Sequence, residues 1–127
     1  MSEFKAKIDP KQIVGTWSLV DHGYVGQDGL FARTGQNMIG QLTYTSDFSM
    51  NVLITKTASP TSLEDIIAYS GKFSLQSGKV LHHIEVASNI SRVGTIEVRQ
   101  LEFQDKHLIL RSEPTNQGYF EITWQQK

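Results

Sequence analysis

The sequence predicts an all-β protein, an eight-stranded antiparallel up-and-down β-barrel with one or two short helical turns. Three observations carry this. From residue 15 onward the chain is a series of short runs rich in β-branched and aromatic residues. Clusters such as Ser46-Asp47-Phe48, Gln76-Ser77-Gly78 and Gln104-Asp105-Lys106 separate those runs by turns too short for anything but antiparallel neighbours. Helical periodicity is almost absent. A meander of this kind must bury one face and hide two edges, and closure into a barrel does both. An open two-sheet sandwich is the competing solution.

Eight strands are predicted: Gly15–His22, Asn37–Thr45, Ser49–Thr55, Ala68–Leu75, Lys79–Ser88, Gly94–Phe103, His107–Ser112 and Gly118–Gln125. Asp9-Pro10 places a capping residue before a proline suited to a first helical position, so Asp9 to Ile13 reads as a short helical turn leading into the first strand. Ser59-Pro60, followed by Glu64 and Asp65, reads as the start of a second. Gly23–Gln36, with four glycines, reads as a flexible loop covering one end of the fold.

The length of 127 residues suits a single domain spanning 1–127. Apolar residues make up 39% and the formal net charge is −1, an ordinary globular balance that argues against a dedicated nucleic-acid binder. With no cysteine, disulfide scaffolds, thiolate metal sites and cysteine nucleophiles are excluded. The first residues, Met-Ser-Glu-Phe-Lys-Ala-Lys, form no secretory signal, and no run approaches the ~20 apolar residues of a spanning helix. The expected setting is cytoplasmic, with no membrane partner. No nucleophile elbow, phosphate loop or dinucleotide fingerprint occurs, and no cofactor is expected.

Turn geometry sets the register, and register decides which side chains face inward. A three-residue loop with Gly78 in the left-handed conformation places Phe73 opposite Leu81 and Tyr69 opposite Glu85. A symmetric connection centred near Ser91 places His83 opposite Arg99 and Glu85 opposite Glu97. One face then collects Tyr69, Phe73, Leu81, His83, Glu85, Glu97, Arg99, Leu101, Phe103, Leu108 and Leu110, apolar at one end and polar at the other. That is the pattern of a barrel with a packed floor and a polar cavity above it. The opposite face carries Ile84, Val86, Ile96 and Val98, an apolar patch whose simplest cover is a second copy of the chain. Both faces are mixed. The first is favoured as the interior because the apolar hairpin ends then continue it.

Gly15-Thr16-Trp17 just after a short helical turn, at the head of an eight-strand meander, looks like the lipocalin and wider calycin barrels. Gly40 through Thr45, Tyr69-Ser70-Gly71-Lys72-Phe73, Val80 through Ser88, Val93-Gly94-Thr95, Arg99 through Leu110 and Thr123-Trp124 extend the match. Across nearly its whole length the chain resembles the short bacterial and fungal lipocalin-like domain family. The resemblance implies a lipocalin-like barrel whose floor is closed by Trp17. Phe48 and Asp105 stand where that family usually has glycine in the turn. The disulfides and second motif of secretory lipocalins are absent, so extracellular transport is not implied.

On this reading the candidate site is the polar end of the inward face. His83 and Glu85 lie two apart on one strand and share a side. Arg99 faces His83 and suits a carboxylate, phosphate or enolate oxygen. The expected ligand is small and partly apolar with an anionic or oxygen-rich end. It is held by Trp17, Tyr44, Tyr69, Phe73, His83, Glu85, Glu97, Arg99 and Leu101. The alternative is a cofactor-free isomerase, cyclase or lyase using His83, Glu85 and Arg99 for acid/base catalysis. A structural polar network, with Arg99 balancing Glu85 and Glu97, competes with both. No metal is expected, because a third ligand beside His83 and Glu85 is not evident, Glu97 being the nearest candidate on their face. His82 is expected on the outer side, and His22, Asp28 and Arg33 read as solvated loop residues.

Overall fold

A computed structural model of the protein describes residues 8–34 and 37–127. Nine strands lie within them: β1 (Gly15–Gly26), β2 (Phe31–Arg33), β3 (Ile39–Tyr44), β4 (Ser49–Thr55), β5 (Ile66–Gln76), β6 (Lys79–Ala87), β7 (Ile96–Gln104), β8 (His107–Ser112) and β9 (Gly118–Gln126). All pairings are antiparallel, and β9 returns to pair with β1 along most of its length, closing the ring. β2 and β3 share one side of β1, β2 against Gly23–Val25 and β3 against Gly15–Ser18. The ring therefore has eight positions, as the sequence predicts, and a closed barrel rather than an open sandwich.

Within the segment Gly23–Gln36, residues 23–34 are not a loose cover. β1 continues to Gly26, the chain turns tightly with Gly29 N–H donating to Gly26 O (3.0 Å), and β2 runs back against β1. The Asp28 carboxylate accepts from Leu30 N–H (2.9 Å) and stiffens that turn. Gly35 and Gln36 lie outside the described residues.

The first helical turn is a 3-10 turn at Pro10–Gln12. Asp9 caps Lys11 N–H, and Gln12 returns a side-chain acceptor to Asp9 N–H. It seats the floor, since Trp17 Nε1–H donates to Ile13 O (2.9 Å). The second turn is a single one, Leu63–Asp65, begun at Ser62 rather than Ser59. A third, Ile90–Arg92, capped by the Asn89 side chain, sits in the connection where a symmetric loop was expected. Around the floor Ile13, Trp17, Leu42, Tyr44, Met50, Phe73, Val80, Leu108 and Trp124 are buried in one cluster. The Tyr44 and Phe73 rings meet edge-on at 4.7 Å.

The register of β6 differs from the expected one. The β5–β6 turn is two residues, Ser77-Gly78, both at positive φ (52° and 78°), and Gln76 pairs with Lys79. This is the left-handed pair that matches strand twist, and Ser77 accepts a conformation that favours glycine. Phe73 therefore faces His82 rather than Leu81. On the other side Val80 pairs with Arg99 and His82 with Glu97. Both slips are odd, so β6 alone is inverted: Val80, His82 and Ile84 point inward while Tyr69, Phe73, Glu97 and Arg99 keep their expected side.

The inversion takes Ile84 out of the four-residue face expected to pair two copies, while Val86, Ile96 and Val98 keep the outer side. Ile84 is core, 2% exposed, whereas Val86 and Ile96 are 65% and 54% exposed outside.

Gly71 is the tightest point of the β5–β6 seam. Register steps there from Ser70↔Val86 to Gly71↔Ile84, leaving Glu85 as the extra residue of a bulge. A Cβ on Gly71 would stand 1.9 Å from His83 O, a backbone atom with no freedom to yield. Gly71→Ala is expected to destabilise the fold by about 2 kcal/mol or more, read as a lowered denaturant midpoint with unchanged slope.

Candidate functional site

A cavity of about 340 Å³ occupies the barrel end away from the Trp17 floor. Its lower wall is Leu42, Val52, Tyr69, His82, Leu110 and Trp124. Its upper wall includes His22, Thr34, Lys56, Ile67, Arg92, Ser112 and Phe120. The volume lies at the lower end of the ~300–1,000 Å³ typical of small-molecule sites.

The polar groups come from several elements. Arg99 and Glu97 project inward from β7, where alternation keeps odd residues on the inner face. Arg92 reaches in from the 3-10 turn between β6 and β7. Glu97 joins the two arginines: Oε1 accepts from Arg99 Nη2 (2.5 Å) and Oε2 from Arg92 Nη1 (2.5 Å). Arg99 Nη1 also donates to Val98 O (3.1 Å), and the Arg92 guanidinium lies over the Tyr69 ring at 5.7 Å. Charged lining residues are thus Lys56, Arg92 and Arg99 against Glu97 alone. With neutral histidines the wall carries an excess of two positive charges, in a chain whose net charge is −1.

His82 lies beneath this group, 2% exposed, between two tyrosines. Its Nε2 is 2.7 Å from the Tyr44 hydroxyl and its Nδ1 2.9 Å from the Tyr69 hydroxyl. Burial pushes its pKa down to about 3, with Arg99 and His83 adding repulsion, so the ring is neutral. Burial likewise raises both tyrosines well above the ordinary phenol value. His22 is buried on the upper wall, and burial lowers its pKa. His22 Nδ1 and Trp124 Nε1 are buried without a partner among the described residues, the kind of group a polar occupant satisfies.

The site expected from the sequence is brought together only in part. Tyr69, Glu97 and Arg99 line the cavity. Trp17, Tyr44, Phe73 and Leu101 belong to the packing rather than to the lining. His83 and Glu85 are outside: His83 pairs with Ser74 Oγ (3.0 Å) on the outer surface, and Glu85 is exposed in the bulge. The trio His83, Glu85 and Arg99 is therefore not assembled. Two lining residues, His82 and His22, were expected outside. His82 follows from the β6 inversion. His22 turns inward because a bulge between Leu19 and Asp21 shifts the alternation of β1. Arg33 and Asp21 form a two-bonded ion pair on the surface (2.7 and 2.9 Å). No group of three or more metal-ligating side chains exists among the described residues. No helix among them is long and apolar enough to cross a membrane.

A closed eight-position antiparallel barrel with a plugged floor and an internal cavity is a calycin-type architecture. The sequence profile of the lipocalin-like domain matches residues 14–126, and the chain belongs to that family. Among solved structures, a redesigned β-barrel is similar in fold, with a TM-score of 0.51 and 16% identity over 93% of this chain and 94% of its own. No curated protein sequence matches at a significant level.

Acid is expected to unfold the protein through its buried imidazoles. Histidines of the unfolded chain titrate near ~6.5. The folded value for His82 is about 3, so between these limits the unfolded state binds more protons. Stability is then full above about pH 6.5 and falls as pH drops toward 3, by at most ~1.4 kcal/mol per pH unit for this group. Urea midpoints between about pH 7 and pH 4 should show the fall, and His82→Gln should show a shallower one.

Proposed function

We propose that the protein binds a small, partly apolar molecule by an anionic or oxygen-rich end, inside the barrel. The excess of positive charge on the wall of an otherwise apolar cavity carries this reading, with Arg99 as its centre. Lipocalin-like barrels commonly bind small molecules, and eight strands enclose just enough room for one. Glu97 holds Arg92 and Arg99 in place, so an arriving carboxylate meets two cations already oriented and loses little to ordering them. Leu42, Val52, Ile54, Ile67, Leu110 and Ile122 supply the apolar contact.

Binding is favoured over the cofactor-free acid/base reading by the same geometry. His83 and Glu85 cannot reach the cavity from outside, both oxygens of Glu97 are engaged, and His82 is a neutral ring held at both nitrogens.

Displacement of bound 1-aminoanthracene by decanoate measures this. The wild type is expected to take up both, and Arg99→Gln to weaken decanoate about tenfold or more while leaving the neutral dye unchanged, the loss of a charge-assisted pair being worth ~1.5–3 kcal/mol. A barrel that admits neither compound, or an Arg99→Gln variant that holds decanoate as well as the wild type, would refute the assignment.

A further inference from the structure

The contacts of His82 determine where the proton of one cavity hydroxyl points. A neutral imidazole has one N–H and one bare nitrogen. Of its two tyrosine partners, one must therefore donate to the bare nitrogen and the other must accept from the N–H. The accepting tyrosine keeps its own O–H proton free for a third group. Tyr44 and Tyr69 are not equivalent candidates for that part. The Tyr44 hydroxyl sits in the floor cluster, outside the cavity lining, and has no partner but His82 Nε2 among the described residues. A free Tyr44 proton would be buried there with nothing to receive it, at the full cost of an unmade bond. Tyr69 lines the cavity, and its free proton has somewhere to go.

We infer that the chain runs Tyr44 O–H to His82 Nε2, His82 Nδ1–H to the Tyr69 oxygen, and Tyr69 O–H into the cavity, making Tyr69 a fixed hydrogen-bond donor to the ligand. Each bond in such a chain polarises the next, so Tyr69 is a better donor than an isolated phenol. His82 has both ring nitrogens engaged by tyrosines and acts on the ligand through Tyr69, as a positioning residue. Arg99 lines the same cavity, so two donors, a guanidinium and a phenol O–H, are offered to one ligand. This deepens the binding proposal and rests on it: the inner end of the ligand bears an oxygen that accepts from Tyr69, a carboxylate or a ketone, and a cationic ammonium group, which accepts nothing, is disfavoured there. The arginines alone would select for charge; Tyr69 extends the selection to neutral carbonyl compounds.

The tautomer is read directly from two-bond proton–nitrogen correlations on protein labelled with nitrogen-15 in its histidines. The four histidine rings are assigned by elimination from His22→Gln, His83→Gln and His107→Gln spectra. The expected pattern for His82 is a protonated Nδ1 and a bare Nε2. A protonated Nε2 with bare Nδ1, a doubly protonated ring or an average of the two tautomers would each overturn the inference. In parallel, 2-decanone, a neutral acceptor, displaces 1-aminoanthracene from the wild type, and Tyr69→Phe should weaken the ketone about three- to tenfold with the dye unchanged. An unchanged ketone affinity, or an equal loss for ketone and dye, counts against it. If no probe enters the wild-type barrel, the binding proposal fails alone, and the tautomer spectrum still decides the direction of the chain.

Discussion

The site depends on how the chain turns at Ser77-Gly78. Two residues at positive φ join β5 to β6, and the count of two rather than three decides which half of β6 faces the lumen. Because strand side chains alternate, nothing in the strand itself can correct a different choice. Val80 and Ile84 then fill the core, and His82 is carried in between them. A polar ring enters an apolar floor at a cost, and two tyrosine hydroxyls, one from β3 and one from β5, offset it by engaging both nitrogens.

Above that level the interior changes character. The floor is packed hydrocarbon and aromatic rings, and the cavity begins where Tyr69 gives way to Arg99, Glu97 and Arg92. Glu97 has a double part: it neutralises one arginine's worth of charge and fixes two guanidinium groups by one carboxylate. The remaining excess is exposed to an interior where Coulomb interactions are weakly screened. The chain as a whole is slightly acidic, so the cationic character is local to the lumen rather than a property of the surface.

The barrel, the number of its positions and the inward side of β5 and β7 were legible in the sequence, because they follow from strand pattern, short turns and alternation. Arg99, Glu97 and Tyr69 were placed on the inner face for that reason. His82 was not, because the turn hinged on Ser77 taking a left-handed conformation, which the residue type disfavours. The β6–β7 connection was misjudged for a related reason, since the 3-10 turn at Ile90–Arg92 makes it asymmetric. Both errors fell on one strand, so the neighbouring strands kept their faces and β6 alone exchanged His83 for His82. His22 was missed because a bulge inside β1 leaves no mark in residue type. The long glycine-containing segment was read as loose, whereas the backbone of residues 23–33 is committed to β1, β2 and the tight turn between them.

Ring closure joins the two most distant parts of the described chain, since Leu19 lies beside Trp124 and Tyr24 beside Phe120. A ribosome delivers the β1 side of that seam long before the β9 side. Until then the nascent meander has two unpaired borders and a half-wrapped lumen. Assembly of this barrel is thus governed by its slowest, most non-local encounter, and the lumen comes into being only when that encounter succeeds.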